Sequence, residues 1–239
     1  MEPDVTTDRR EEGFFARIVS ILTPHKTIPR MSWTASRRWD LSPSRVGILF
    51  FGLTIFGLGD SLLVQSKIGN APWTVLAQGI HNHSRLSIGE ATFLVGALIL
   101  ILWWPLRERP GFGTLANIAI ISAAIQLGLA IFPSINHNLA LSLIYVFLGI
   151  FLVGLGSTFY ITTGLGPGPR DGLMTALHFK TGIRVARVRF GIEMCAFIIG
   201  ALLGGRYGIG TALFALLIGQ SVAINLSLVK HLASAKISE

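Results

Sequence analysis

The sequence predicts an all-α, polytopic membrane protein: six transmembrane helices arranged as two inverted three-helix repeats, each carrying a proline-started half-helix or interfacial helix. Three observations predict it. Charged residues make up only 13% of 239 residues, and mean hydropathy is +0.62, where a soluble domain carries roughly 25% charge. Apolar runs of membrane-spanning length, ~20 residues, recur at about 46–66, 88–106, 112–132, 139–163, 187–204 and 209–229. Finally, the two halves match at a fixed offset of 97: Gly57-Leu58-Gly59 on Gly154-Leu155-Gly156, Gly69 on Gly166, Pro72 on Pro169, and Gly111, Gly113, Thr114 on Gly208, Gly210, Thr211. One such pair means little in Gly-rich sequence. An ordered series at one offset indicates a duplicated unit.

The elements follow in order. Residues 1–45 form a basic cytoplasmic tail, partly disordered, with no cleavable signal core behind it. Within it, Glu11–Thr23 reads either as a surface-lying helix or as unstructured chain. Met31 offers a second start, since Ser32–Arg45 suffices as a basic lead-in. Repeat one spans 46–132 and repeat two 139–229; residues 230–239 form a cytoplasmic C-terminal tail. Between spans, 69–87 and 166–186 each open on Gly-x-x-Pro. Proline suits the first helical turn, where its missing N–H costs nothing, so a helix is predicted to start at Pro72 and at Pro169. Both are too short and polar to cross a bilayer; re-entrant and interfacial placements stay open.

Lys and Arg set orientation. The N-terminus, 107–110, 164–189 and the C-terminus are basic, while the alternate loops are poor in Lys and Arg. Both termini are therefore expected in the cytoplasm, in a bacterial inner membrane. Three spans per repeat is an odd number, so the second copy enters from the opposite face, a transporter-like design. The net charge of +8 lies mostly in the tail and loops. It reads as a topology signal, and no nucleic-acid partner is expected.

The chemistry concentrates at Gly164-Leu-Gly-Pro-Gly-Pro-Arg-Asp-Gly172. Gly166, Gly168 and Gly172 around two prolines forbid regular helix there. A helix beginning at Pro169 exposes N–H groups and partial positive charge. With Arg170 beside it, that end suits an anion. The plainer alternative has Asp171 capping the helix while Arg170 acts as a positive-inside anchor. Other candidates are Pro72 and Trp73 at the matching break, Asp60 inside span one, whose counterpart is Ser157, and Glu193, which sits four residues after Arg189. His81 and His83 lack a third ligand, so no metal is expected. The intramembrane glycines read as helix contacts, and Cys195 as a small buried residue. No nucleophile–base pair, HExxH or phosphate-binding fingerprint appears, so neither enzyme activity nor a cofactor is expected.

At Gly166-Pro-Gly-Pro-Arg-Asp-Gly172 the chain resembles the YczE/YyaS/YitT-type bacterial membrane proteins. Gly69, Pro72, Trp73, Gly204-Gly205 and Gly208-Ile-Gly-Thr211 add to the likeness, which covers about 46–229. Where such proteins often carry Pro-Trp-Asp, this chain has Pro72-Trp73-Thr74, leaving Asp171 without an acidic twin. The resemblance implies a cytoplasmic-membrane protein and no particular biochemistry. The functional expectation is a secondary transporter or permease for a small solute, an anion among the candidates, with the lipid bilayer as its surroundings. The rival is a non-transporting scaffold or assembly partner. A polar cavity between the repeats separates the two.

Overall fold

A computed structural model describes residues 30–235. Expectations for the chain before Arg30, including the helix at Glu11–Thr23, and after Ala235 lie outside the described residues. Eight helices follow: α1 Pro43–Ser66, α2 Pro72–Asn82, α3 Ile88–Leu106, α4 Phe112–Ile131, α5 Leu139–Thr162, α6 Pro169–Thr181, α7 Val185–Leu202 and α8 Ile209–Ala235. The starts of α2 and α6, α3 and α7, and α4 and α8 (72 and 169, 88 and 185, 112 and 209) each differ by 97.

Local chemistry explains these boundaries. Pro43, Pro72 and Pro169 each open a helix, as their fixed φ favours. Ser42 caps α1, and Ser87 with Glu90 forms a capping box on α3, which accounts for an acidic residue at the head of an apolar run. Gly182, at φ 72°, stops α6.

Five helices, α1, α3, α4, α5 and Ile209–His231 of α8, are long and apolar enough to cross a membrane. The remaining predicted span, 187–204, does not meet that measure. The run expected at 187–204 is α7, whose 18 residues contain Arg187, Arg189 and Glu193. Two other expectations also change. Residues 30–42 pack as an ordered strap, because Ala35 N donates to the Thr163 carbonyl at 2.8 Å, Phe112 N to Arg38 at 3.2 Å, and Arg38 pairs with Glu108 at 2.7 Å. At the other end α8 runs to Ala235, into the stretch assigned to a tail.

Packing divides the helices into two groups, α1, α4, α5, α8 and α2, α3, α6, α7, which meet chiefly where α3 lies on α4. The first group is organised by glycine. A Cβ on Gly52 would stand 3.0 Å from the Gly156 carbonyl, and one on Gly59 2.9 Å from that of Gly149. As one index rises the other falls, so α1 and α5 cross antiparallel with their backbones nearly touching. Gly57 is notched against Ala124 of α4, and Gly154 against Ser221 of α8. The glycines thus serve close helix packing, as small residues do in membranes.

In the second group the tight fits are exchanged in size. Gly172 of α6 admits the Trp103 ring of α3, while Gly200 of α7 admits the Val75–Leu76 backbone of α2. Adding 97 to 75 and 103 gives 172 and 200. Large therefore meets small in both places, with the roles reversed. Outward faces carry apolar side chains, among them Phe93, Leu98, Ile101, Phe190, Ile198 and Leu202. Cys195 is exposed on α7 rather than buried, because that helix turns only its Val188–Ala196–Gly200 stripe inward.

Leucine at Gly52 or Gly156 is expected to destabilise the protein by ~1–3 kcal/mol or more through overpacking. Leucine at Gly47, where an added side chain meets nothing within 4 Å, should leave the detergent melting temperature unchanged.

Candidate functional site

The site is built where α2 and α6 begin. Before each helix the chain makes one glycine-dependent turn, Gly69 at φ 131° and Gly166 at φ 128°. Each turn is pinned to the head of a helix in the other half. Gly210 N donates to the Ile68 carbonyl at 3.0 Å, and Gly113 N to that of Leu165 at 2.9 Å. The Gly-x-Gly-Thr segments are thus turns into α4 and α8 that also dock the two breaks. Thr114 adds a bond to Pro167 O at 2.8 Å, and Trp103 Nε1 one to Pro169 O at 3.0 Å.

These anchors leave the second residue of each short helix facing the other. The Arg170 Cζ lies 4.9 Å from the Trp73 ring centroid, a cation–π contact. Trp73 is itself set in an apolar cluster with Val95, Ile99, Trp103 and Leu173. The third residues tie back to the preceding long helices. Thr74 donates to Asp60 at 2.7 Å, and Asp171 accepts from the Tyr160 hydroxyl. Asp171 is therefore held side-on by Tyr160; the cap position of α6 is Gly168, without a side-chain cap.

Arg170 makes no direct ion pair among the described residues, although the carboxylates of Asp60, Asp171 and Glu193 lie near enough to favour its charge. The ion pairs among the described residues join Arg38 to Glu108, Arg45 to Asp40, and Arg189 to Glu193, the last at 2.9 Å. No hydrogen bond among them involves Arg170. Its guanidinium looks into a cavity of about 290 Å³ between the two helix groups. Phe56, Ile118, Ile121, Val153, Phe214 and Ile218 give that cavity apolar walls; Asn117, Ser157, Tyr160, Asp171, Arg189 and Glu193 give it polar ones.

Pro72, Trp73, Gly168, Pro169, Arg170, Asp171 and Glu193 all line this one cavity. Two predicted residues do not. Gly166 shapes the turn behind it, and Asp60, only 2% exposed, sits behind Thr74 with its Oδ1 unpartnered. Glu193 pairs with Arg189 as the spacing predicts. His81 and His83 instead bond the carbonyls of Leu86 and Gly79 near the end of α2. Tyr160, Asn117, Thr74 and Trp103 escape the sequence reading. An aromatic or amide near the end of an apolar run has no local signature separating a ligand-facing group from a lipid-facing one. The offset does place Tyr160 opposite Leu63, a polar-for-apolar exchange that would have marked it.

Comparison with known proteins places this geometry in context. Residues 43–226 match a family described as of unknown function, DUF6198. An uncharacterized protein of Haemophilus influenzae is 39% identical over 207 residues, 87% of this chain and 94% of that protein. The uncharacterized membrane protein YczE of Bacillus subtilis is 35% identical over 179 residues, 74% and 83% of the respective chains. Uncharacterized protein YyaS of the same organism is 28% identical over 183 residues, 75% and 91%. No solved structure matches the chain.

Replacing Thr74 by valine strips the buried Asp60 carboxyl of its hydrogen bond. A loss of ~1–3 kcal/mol is expected, read as a lower melting temperature, with Thr74→Ser restoring most of it.

Proposed function

We propose a function from one premise: the chain belongs to the YczE-like family of membrane proteins, DUF6198. It is an integral membrane protein, and in our reading a secondary transporter of a small organic anion, without enzymatic activity. Its two halves are inverted repeats in a bacterial inner membrane, with both termini cytoplasmic. The observation that carries the reading is the cavity of about 290 Å³ between the two helix groups, lined by Arg170, which makes no direct ion pair among the described residues. A scaffold has no use for such a space. Charged groups inside membrane proteins are costly and mark substrate paths, and an unpaired arginine in low dielectric attracts an anion strongly.

Three further features support it. Helix starts spaced by 97, the antiparallel α1–α5 crossing and the paired docking bonds suit inverted repeats. Each helix group takes members from both halves, so one group can rock against the other while the site between them stays in place. Trp73 holds the guanidinium through its ring face, leaving the planar N–H donors available to a carboxylate. In this mechanism Arg170 binds the anion, Trp73 positions Arg170, and Asp171 with Tyr160 sets the limit of the site.

Reconstituted into vesicles, the protein should take up a small organic anion, and Arg170→Ala should reduce uptake by ~10-fold or more, the scale of one lost charge-assisted bond. Arg170→Lys should retain part of it. Undiminished uptake in a normally folded Arg170→Ala protein would remove this residue from the mechanism. For topology, Lys180→Cys in a Cys195→Ala background should react with an impermeant maleimide only from the cytoplasmic face.

A further inference from the structure

The two halves differ at one interface. Helix α3 packs on α4, but among the described residues their counterparts α7 and α8 do not pack on each other in the same way. The sequence explains the difference. On α3, Thr92 and Gly96 face α4; a Cβ on Gly96 would already stand 3.0 Å from Ile118. Adding 97 gives Arg189 and Glu193, so a salt-bridged pair replaces a small, close-fitting one. On the facing helix, Ile118 and Ser122 become Ala215 and Gly219. Nothing lies within 4 Å of a Cβ built on Gly219, although Gly219 lines the cavity.

Helices α3 and α4 pack together, apart from a groove lined by Glu90, Phe93, Ser122 and Gln126, whereas α7 and α8 stand apart and give the cavity a mouth. One lip carries Arg189 and Glu193, with side chains 51% and 36% exposed. The other lip, on α8, is Phe214, Ile218, Gly219 and Val222. Phe197 stacks edge-on against Tyr207, with centroids 5.5 Å apart, near the loop that joins the two helices. Apolar Met194, Ile198 and Leu216 flank it on the outer surface, the surface that meets lipid. With α7 spanning the membrane, as the six-span reading has it, a slot between α7 and α8 opens sideways into the bilayer.

We infer that this slot is a lateral portal, and that the solute is an amphipathic anion reaching the site from the membrane. This rests on the transport reading above and names its substrate class. The charged head goes to Arg170, past Arg189 at the lip. The apolar body lies against Phe214, Ile218 and Val222, and its end trails between α7 and α8. The size of the cavity agrees: about 290 Å³ is at the small end of ligand sites, ~300–1,000 Å³, enough for a head and a short chain. A mouth with one charged and one apolar lip discriminates against a purely hydrophilic anion, whose far end would meet α8 and lipid without a hydrogen-bond partner.

The test uses the full chain in lipid nanodiscs, with melting temperature as the readout and four probes: octanoate, decanoate, succinate and octylammonium. Octanoate and decanoate should stabilise the protein, with apparent affinity rising about fourfold per methylene, while succinate and octylammonium should not. Arg170→Gln should weaken the alkyl carboxylates about tenfold. Gly219→Phe, placed in open space, should keep the unliganded melting temperature and lose the response; Gly219→Leu replaces it if phenylalanine lowers that temperature. Stabilisation by succinate that needs Arg170 but ignores Gly219→Phe would overturn the portal and leave anion transport standing. An octanoate effect indifferent to both substitutions is a bulk membrane effect and also overturns the portal. No stabilisation of the unmodified protein by any of the anions would sink the portal and the transport reading together.

Discussion

Irregular backbone packed between helices has little water to satisfy it, so its N–H and C=O groups must find partners within the protein. The rest of this fold depends on meeting that requirement twice. The breaks after α1 and α5 each turn through a glycine that an L-residue would strain, and each gives its carbonyl to the head of a distant helix, Ile68 to Gly210 and Leu165 to Gly113. Once docked, the chain has no freedom in where α2 and α6 begin. Their starting residues, Trp73 and Arg170, are brought into contact as a consequence.

Around those two docked turns, glycine and bulk are distributed by complementarity. Where α1 and α5 cross, glycine faces backbone on both sides, and the helices approach as closely as helices can. Where the short helices pack on α3 and α7, a tryptophan enters the glycine notch at one place, and a glycine admits the helix backbone at the other. Such exchanges keep the volume filled while letting the chemistry of the two halves diverge. Thr74 with Asp60 occupies one half, and Asp171 with Tyr160 the corresponding region of the other. The divergence places charge on one side of the cavity and leaves the other side apolar.

Ordered chain outside the long helices has the same origin. The Arg30–Leu41 strap covers the end of α5 and the α3–α4 turn with backbone hydrogen bonds and the Arg38–Glu108 pair. At the opposite end, the α4–α5 connection does comparable work, with Ile135 N bonded to the Gln65 carbonyl at 2.9 Å. Its basic composition makes the strap look like a solvated tail in sequence. Its long-range hydrogen bonds run to residues between 70 and 129 positions away, which no local pattern announces.

The sequence by itself determined the apolar helices, the proline-set starts at Pro72 and Pro169, the 97-residue register and the Arg189–Glu193 pair. All of these follow from periodicity, fixed φ angles or spacing along one helix. Around 187–204 average apolarity conceals three charges, of which Arg189 and Glu193 line the cavity. Only the tertiary structure decided that Arg170 stacks on Trp73 without a direct ion pair, that Tyr160 holds Asp171, and that α3 packs on α4 while α7 does not pack on α8 in the same way. Those outcomes depend on which side chain fills which notch between helices far apart in the chain. That is a property of packed volume, which a one-dimensional pattern does not encode.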